Sequence, residues 1–353
     1  MIAAALLALP AAAEPLRIAT YGAELSRDGP GLLYRDLEKG DDPQIAAVVA
    51  VIAAARPDVL LLTGFDWDYE GRALASLSAR LAQAGLDYPF HYAPRPNSGL
   101  DSGLDLDGDG TAGSPRDAQG YGRFLGDGGM AILSRLPILS DQARDFSALH
   151  WADLPGTLIG GAAMSPEAVA VQRLSTTGHW DVPLQLPSGA ALHLFAFAAT
   201  PPLFDGPEDR NGRRNHDEIA FWQRYLDGLL PEKPAQAPFV LLGDAELDPQ
   251  GGAGRHAAIA ALLADPRLQD PAPRSDGGAQ VKRAEQGGDS SLDTIDFGAK
   301  SKTGGLRLDY VLPSADLRVT GAGVLWPAPG DPLAATAAKA SRHRLVWVDI
   351  DAP

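Results

Sequence analysis

Short, continuous apolar runs recur along the whole chain and are its main structural signal. Runs rich in Val, Leu, Ile and Ala occupy residues 16–21, 59–63, 130–133, 192–198, 239–242, 308–312 and 345–350. Strands buried on both faces read in this way, whereas half-exposed strands alternate between apolar and polar positions. The pattern therefore predicts strands throughout the chain, with the first two in a parallel crossover unit.

Helical spacing of apolar positions separates several of these runs. It predicts helices over residues 44–55, 72–84, 215–230 and 257–263. The first ends at Arg56, because the following proline disfavours a helical residue before it. Residues 93–129 and 250–305 include long Gly/Asp/Ser/Pro-rich stretches without periodicity, and such long loops are usually functional or disordered. No repeat or linker composition divides the chain, so we predict one α/β domain over residues 14–353.

The composition restricts the partners and the chemistry. The formal net charge is −15, which repels polyanions, so duplex nucleic acid is not an expected partner. An arginine-rich stretch at residues 210–214 is either a local basic patch or a solvated, salt-bridged loop. The chain has no cysteine, which excludes disulfides, thiolate metal sites and cysteine nucleophiles.

The first residues have the pattern of a signal peptide. Residues 1–13 are apolar and end in three alanines before Glu14 and Pro15, which is a small-residue cleavage pattern, although no Lys or Arg follows Met1. The alternative is a buried first strand or helix. We expect a periplasmic or secreted protein without a transmembrane segment, since this apolar run is shorter than the roughly 20 residues that span a bilayer.

Several phrases occur in an order that resembles the endonuclease/exonuclease/phosphatase superfamily, in particular an exported bacterial branch of it. They are RIATY from Arg17, RPDVLLL from Arg56, GMAILSRLPI from Gly129, LLGD from Leu241, LDYVLPS from Leu308 and SRHRLV from Ser341. The resemblance implies a four-layer α/β/β/α sandwich, in which two mixed sheets pack face to face with helices outside. It also implies an active site at the strand ends that uses divalent cations, usually Mg²⁺, to hydrolyse phosphoesters.

The catalytic positions depart from the pattern that the resemblance implies. Gly22 occupies the position at which the resemblance implies a metal-binding Asn, and Gly64 the position of the principal Glu ligand. Ala198 occupies the position of the charge-stabilising His, and Arg342 the position of an acid. A register shift of one residue at one or two positions would leave most of the set substituted. The replaced positions are Gly22, Gly64, Ala198 and Arg342.

The residues that survive at family positions are Asp244, Asp309 and His343, with Glu246 in place of a water-orienting Asn and Asp66 as a candidate substitute ligand. We expect a degenerate site, and hence a pseudoenzyme that binds an unknown ligand, with a phosphorylated small molecule among the candidates. In that case Asp309 and His343 serve packing and hydrogen bonding. The alternative is a phosphoesterase with a rebuilt site, which alone would need Mg²⁺ or Mn²⁺.

A second candidate metal site lies in the first long loop. Asp105, Asp107 and Asp109 alternate with other residues and precede a glycine, a pattern that wraps oxygen ligands around Ca²⁺, and Asp117 could close the shell. The loop is not an EF-hand, because its twelfth position is Arg116. The alternative is a solvated acidic turn without an ion.

Overall fold

The computed structural model describes residues 15–236, 238–281, 288–298 and 300–351, so the predicted signal peptide lies outside the described residues. The strands are β1 (Leu16–Leu25), β2 (Val59–Phe65), β3 (Phe90–Tyr92), β4 (Gly129–Ser134), β5 (Arg144–Asp145), β6 (Gly178–Gln185), β7 (Ala191–Ala198), β8 (Phe239–Asp244), β9 (Ile295–Asp296), β10 (Gly305–Leu306), β11 (Asp309–Pro313), β12 (Val319–Val324) and β13 (Val346–Ile350). The α-helices are α1 (Leu32–Lys39), α2 (Pro43–Ala55), α3 (Arg72–Gln83), α4 (Pro166–Val171), α5 (Arg210–Leu226), α6 (Ala257–Leu263) and α7 (Ala334–Ala340).

The strands form two mixed sheets. One has the order β12-β13-β1-β2-β4-β3, and only its β1–β2 pair is parallel. The other has the order β11-β8-β7-β6-β5, and only its β7–β8 pair is parallel. β9 and β10 form a separate antiparallel pair.

Three apolar clusters explain the layering. Ile18 and Leu61 from the first sheet share one cluster with Leu242 and Val311 from the second, so the sheets pack face to face. The outer face of the first sheet packs against α1, α2, α3 and α7, and that of the second packs against α5 and α6. The predicted four-layer α/β sandwich is confirmed.

The structure corrects several predicted boundaries and adds elements. β1 continues to Leu25 because it stays paired with β2 as far as Phe65. α5 begins at Arg210 and ends at Leu226, whereas the pattern predicted residues 215–230. The apolar runs also failed to predict β6, which contains His179, Asp181 and Pro183 yet is buried along almost its whole length. Burial by tertiary packing thus overrides its polar composition.

Helix α5 forms hydrogen bonds with the segments before β6, after β7 and after β8. The fully buried carboxylate of Glu218 accepts the backbone N–H groups of Thr176, at 2.6 Å, and Thr200, at 2.7 Å. The Asn215 amide donates to the carbonyls of Thr200 and Ala245, both at 2.8 Å. Burial raises the pKa of Glu218 to about 7, although Arg214 and these N–H groups oppose the rise.

The raised pKa of Glu218 predicts how stability depends on pH. The native state holds this proton up to a higher pH than the unfolded chain, where the ordinary value is 4.5. The free energy of unfolding should therefore fall between pH 4.5 and 7 through this group, by about 3 kcal/mol at most. Glu218→Gln should flatten that part of the curve in urea denaturation. The exposed control Glu167→Gln should leave it unchanged, and parallel curves for Glu218→Gln and the unsubstituted protein would contradict the assignment.

Candidate functional site

The sheet registers bring the predicted site positions to one edge of the sandwich. In the first sheet Gly22 of β1 lies beside Thr63 of β2, so both parallel strands end at this edge. In the second sheet Asp244 at the end of β8 pairs with both Ala198 and Asp309. His343 precedes β13, which runs antiparallel to β1, and therefore reaches the same edge.

Asp244, Asp309 and His343 form one buried group. Each offers an oxygen or nitrogen atom, and these atoms lie within 4.8 Å of one another. Nδ1 of His343 donates to Oδ2 of Asp309 at 2.9 Å, and the Thr294 hydroxyl donates to the same oxygen at 2.7 Å. Burial lowers the pKa of His343, but the charge and hydrogen bond of Asp309 outweigh it, with help from other acids, and raise the pKa to about 10. His343 is therefore a cation at neutral pH.

Two further carboxyl groups share this region. Burial raises the pKa of Asp244 well above its usual range, and the nearby charges of Glu246 and Asp309 raise it further. Burial also raises the pKa of Glu246, although the positive charge of His343 opposes the rise. The Glu246 backbone N–H donates to Asp244 at 2.9 Å, and Oδ1 of Asp309 is buried without a partner among the described residues. The group therefore favours a proton or another positive charge.

The glycine at position 22 makes room for His343. A Cβ atom at Gly22 would lie 2.7 Å from Cγ and 2.9 Å from Nδ1 of His343, closer than real Cβ contacts. The imidazole thus lies where a side chain on residue 22 would begin. The absence of a side chain at Gly22 and the position of the His343 ring therefore depend on each other.

The other two substituted strand ends offer no ligand atoms, because Gly64 and Ala198 lack functional side chains. Asp66 is outside the buried group of Asp244, Asp309 and His343. Its two oxygens accept the backbone N–H groups of Arg27, at 2.8 Å, and Gly128, at 3.0 Å. Its carboxylate thus ties together two loops at the edge of the first sheet.

Arg342 pairs with Glu24, a residue that the sequence analysis missed. The Glu24 carboxylate accepts the Arg342 backbone N–H and its Nε, both at 2.7 Å, and the Ser341 hydroxyl at 3.1 Å. Burial raises the pKa of Glu24, but the hydrogen bonds and charge of Arg342 outweigh it and lower the pKa overall. Strand alternation does not indicate this acid, because the pairing of β1 with β2 shifts register between Gly22 and Leu25.

Two positioning residues also lacked a signal in the sequence. Thr294 lies in the long aperiodic segment, and its hydroxyl also accepts the backbone N–H groups of Leu308, at 2.9 Å, and Asp309, at 3.0 Å. The Arg344 guanidinium donates to the carbonyls of residues 341, 342 and 343, and lies over the Trp326 ring at 4.7 Å. These contacts fix the backbone that presents His343.

The acidic loop forms a separate group. One oxygen from each of Asp105, Asp107 and Asp109 lies within 4.8 Å of the others. The Asp105 carboxylate accepts backbone N–H groups from residues 108, 109 and 110. Asp117 is buried outside this group, and its oxygens accept the N–H groups of Leu106, at 2.7 Å, and Ser114, at 2.8 Å.

The contact at Gly22 predicts the effect of restoring a side chain there. Gly22→Asn should force His343 aside and destabilise the protein by about 1–3 kcal/mol, as overpacking usually does. The φ angle of Gly22 is not positive, so backbone strain does not contribute. The control Gly160→Asn also lacks a positive φ, and its Cβ would meet no atom within 4 Å. Equal urea midpoints for both variants would contradict this account.

Comparisons with known proteins agree with the geometry. A family model described as the endonuclease/exonuclease/phosphatase family matches residues 33–343. None of the curated proteins matches the sequence significantly.

Similar solved structures share the fold at low sequence identity. An endonuclease/exonuclease/phosphatase from Beutenbergia cavernae is 18% identical with a TM-score of 0.56, covering 96% of this chain and 72% of that one. A family protein from Leptotrichia buccalis is 17% identical with a TM-score of 0.54, covering 96% and 100%. Sphingomyelinase C from Streptomyces griseocarneus is 18% identical with a TM-score of 0.52, covering 95% and 99%. Because the family model spans most of its length, this chain belongs to the endonuclease/exonuclease/phosphatase family.

Proposed function

We propose that this chain is an exported binding protein whose strand-end site no longer hydrolyses phosphoesters. Members of the superfamily are metal-dependent phosphoesterases. One observation supports a different role here: two of the four acids at the strand ends are paired with the chain's own cations. His343 pairs with Asp309, and Arg342 pairs with Glu24.

The residues present do not fit a catalytic Mg²⁺ ion. Such an ion takes oxygen ligands in a nearly octahedral arrangement, usually from carboxylates, substrate phosphates and water. Here positions 22 and 64 are glycines, and Oδ2 of Asp309 already accepts from His343 and Thr294. A protonated imidazole cannot ligate a metal through the nitrogen that carries its proton. The raised pKa of Asp244 lets a proton neutralise that carboxyl instead.

The magnitudes favour an inactive site over an impaired one. Removing one preorganised charge stabiliser costs roughly 10²–10³-fold in turnover, and position 198 has no such group. Loss of metal ligands at positions 22 and 64 removes a further contribution from the metal ion. Without an ion or the stabiliser, the buried Asp309–His343 pair lacks the other charges that phosphoryl transfer needs.

The rival function is a phosphoesterase rebuilt around Asp244, Glu246, Asp309 and His343. The specific observation in its favour is that Asp244, Asp309 and His343 lie within 4.8 Å, with one Asp309 oxygen unpaired. Mg²⁺ or Mn²⁺ would belong to this alternative. Asp66 adds no support, because it lies outside the group of Asp244, Asp309 and His343.

Export and calcium binding are further parts of the proposal. Export rests on the signal-peptide pattern of residues 1–13. Across the part of the chain that the structure describes, no helix combines the length and apolar character needed to cross a bilayer. Calcium binding rests on the oxygens that Asp105, Asp107 and Asp109 bring together.

A phosphodiester assay tests the loss of catalysis. Bis-p-nitrophenyl phosphate should remain intact with Mg²⁺, Mn²⁺ or Ca²⁺, because Gly22 and Gly64 supply no metal ligand and Ala198 supplies no charge stabiliser. Asp244→Ala should give the same flat trace as the unsubstituted chain. A family enzyme with the complete set of ligands serves as the positive control. Turnover by the unsubstituted chain that Asp244→Ala abolishes would instead establish the rival function.

Thermal melting tests the calcium loop. Ca²⁺ that binds only the native state should raise the melting temperature relative to EDTA, with about 2.7 kcal/mol of stabilisation at 100 times the dissociation constant. Asp107→Asn should reduce this shift by removing one ligand. The control Asp87→Asn, at an exposed acid outside the loop, should keep it. Identical melts of the unsubstituted protein in Ca²⁺ and in EDTA would show that the loop is a solvated turn.

A further inference from the structure

A cavity of about 320 Å³ opens at the end of β2. Its wall begins at Phe65, the residue after Gly64, and continues through the turn into α3 and the segment after β3. Trp67, Tyr69, Leu74 and Arg95 line it. None of these residues belongs to the group around Asp309 and His343. A cavity of this size accommodates a small molecule.

Two aromatic rings form one corner of this cavity. The Trp67 and Tyr69 rings are perpendicular, with centroids 6.4 Å apart. Trp67 is held by two hydrogen bonds, from its indole N–H to the Ala93 carbonyl and from its backbone N–H to the Gly126 carbonyl, both at 2.9 Å. Tyr69 is 90% exposed, so most of its ring is free for contact. Such a corner offers both a face and an edge to another ring.

The cavity wall carries two acids, Asp68 and Glu70, and one cation, Arg95. Asp68 accepts the backbone N–H groups at the start of α3, and Glu70 forms an ion pair with Arg72. Arg95 lines the cavity, is exposed, and has no hydrogen bond or ion pair with any described residue. Prolines on both sides of Arg95 restrict its backbone. The guanidinium is therefore presented to solvent from a stiff segment.

A second arginine strengthens the positive charge. Arg173 donates to the Asn97 side-chain oxygen at 2.8 Å and has no carboxylate partner among the described residues. Burial lowers the pKa of Arg173, and the neighbouring charge of Arg95 lowers it further. The charge of Asp145 acts on the pKa of Arg173 in the opposite direction, but no ion pair joins Asp145 to either arginine among the described residues. Two neighbouring arginines without an ion-paired acid attract an anion.

We propose that this cavity binds a small molecule that carries both a flat ring and an anionic group. The ring contacts Trp67 and Tyr69, and the anion pairs with Arg95 and is attracted by Arg173. Guanidinium groups recognise phosphoryl and carboxylate oxygens by charge-assisted hydrogen bonds. The inference rests on the proposed binding function, since it names the class of ligand, but it uses residues outside the strand-end group.

Ligand-observed NMR titrations of the full chain in EDTA test the inference. Phenylphosphonate and benzoate carry a ring and an anion, and neither has a bond that a phosphoesterase hydrolyses. Methylphosphonate and benzyl alcohol supply the anion and the ring alone. At least one ring anion should bind about tenfold more tightly than either half. Comparison of phenylphosphonate with benzoate then identifies the preferred anion.

Matched variants locate the binding. Arg95→Gln should weaken the ring anion about tenfold and leave benzyl alcohol unchanged, while Tyr69→Ala should weaken both. The controls are Arg116→Gln and Tyr121→Ala, which change an exposed arginine and an exposed tyrosine outside the cavity and should alter neither affinity. All four positions are exposed, and thermal melts check that each variant is folded.

The outcomes separate this inference from the proposed function. Failure of both ring anions to bind more tightly than their halves, or an affinity unchanged by Arg95→Gln, would overturn the cavity assignment. Neither result bears on hydrolysis. Hydrolysis of bis-p-nitrophenyl phosphate would overturn the non-catalytic function, whereas phenylphosphonate binding that depends on Arg95 would still establish the cavity.

Discussion

The buried ion pair between Asp309 and His343 is the interaction on which the arrangement of the strand ends depends. A carboxylate with no solvent exposure keeps its charge only when a cation and hydrogen-bond donors accompany it. Here the partners come from elsewhere in the chain, because His343 precedes β13 of the first sheet and Thr294 belongs to the segment before β9. The pair therefore joins the edges of the two sheets. It also raises the pKa of the imidazole to about 10, so that the protonated form is favoured at neutral pH.

Gly22 and Arg342 each fit a neighbouring group at this edge. Gly22 leaves the space that the His343 ring occupies. Arg342 finds a partner in Glu24, whose carboxylate would otherwise add to the charge of Asp244 and Glu246. In a phosphoesterase an external ion balances such acids. In this chain two of the balancing charges belong to side chains, because His343 pairs with Asp309 and Arg342 pairs with Glu24.

The sequence predicted the sandwich because its central strands are buried on both faces and therefore read as apolar runs. β6 was not predicted, because it contains His179, Asp181 and Pro183. The structure accommodates them through neighbours: His179 and Asp181 form hydrogen bonds with α5, and Pro183 lies beside β7. The site positions were predicted from the resemblance, and the structure brings Asp244, Asp309 and His343 of that set together. Glu24 and Thr294 could not be assigned, because their roles depend on sheet register and on a contact 15 residues distant in sequence. Local pattern contains neither kind of information.

The proposed loss of catalysis shifts the question of recognition to the loops around the strand ends. Loops on a rigid scaffold commonly carry the binding residues of a domain. The loop after β2 presents Trp67 and Tyr69, and the segment after β3 presents Arg95 between two prolines. The cavity between them sits one residue beyond Gly64, where the resemblance implied a metal ligand. Taken together, the proposed function and the proposed cavity site assign the attraction of anions to a side-chain cation, Arg95, rather than to a metal ion.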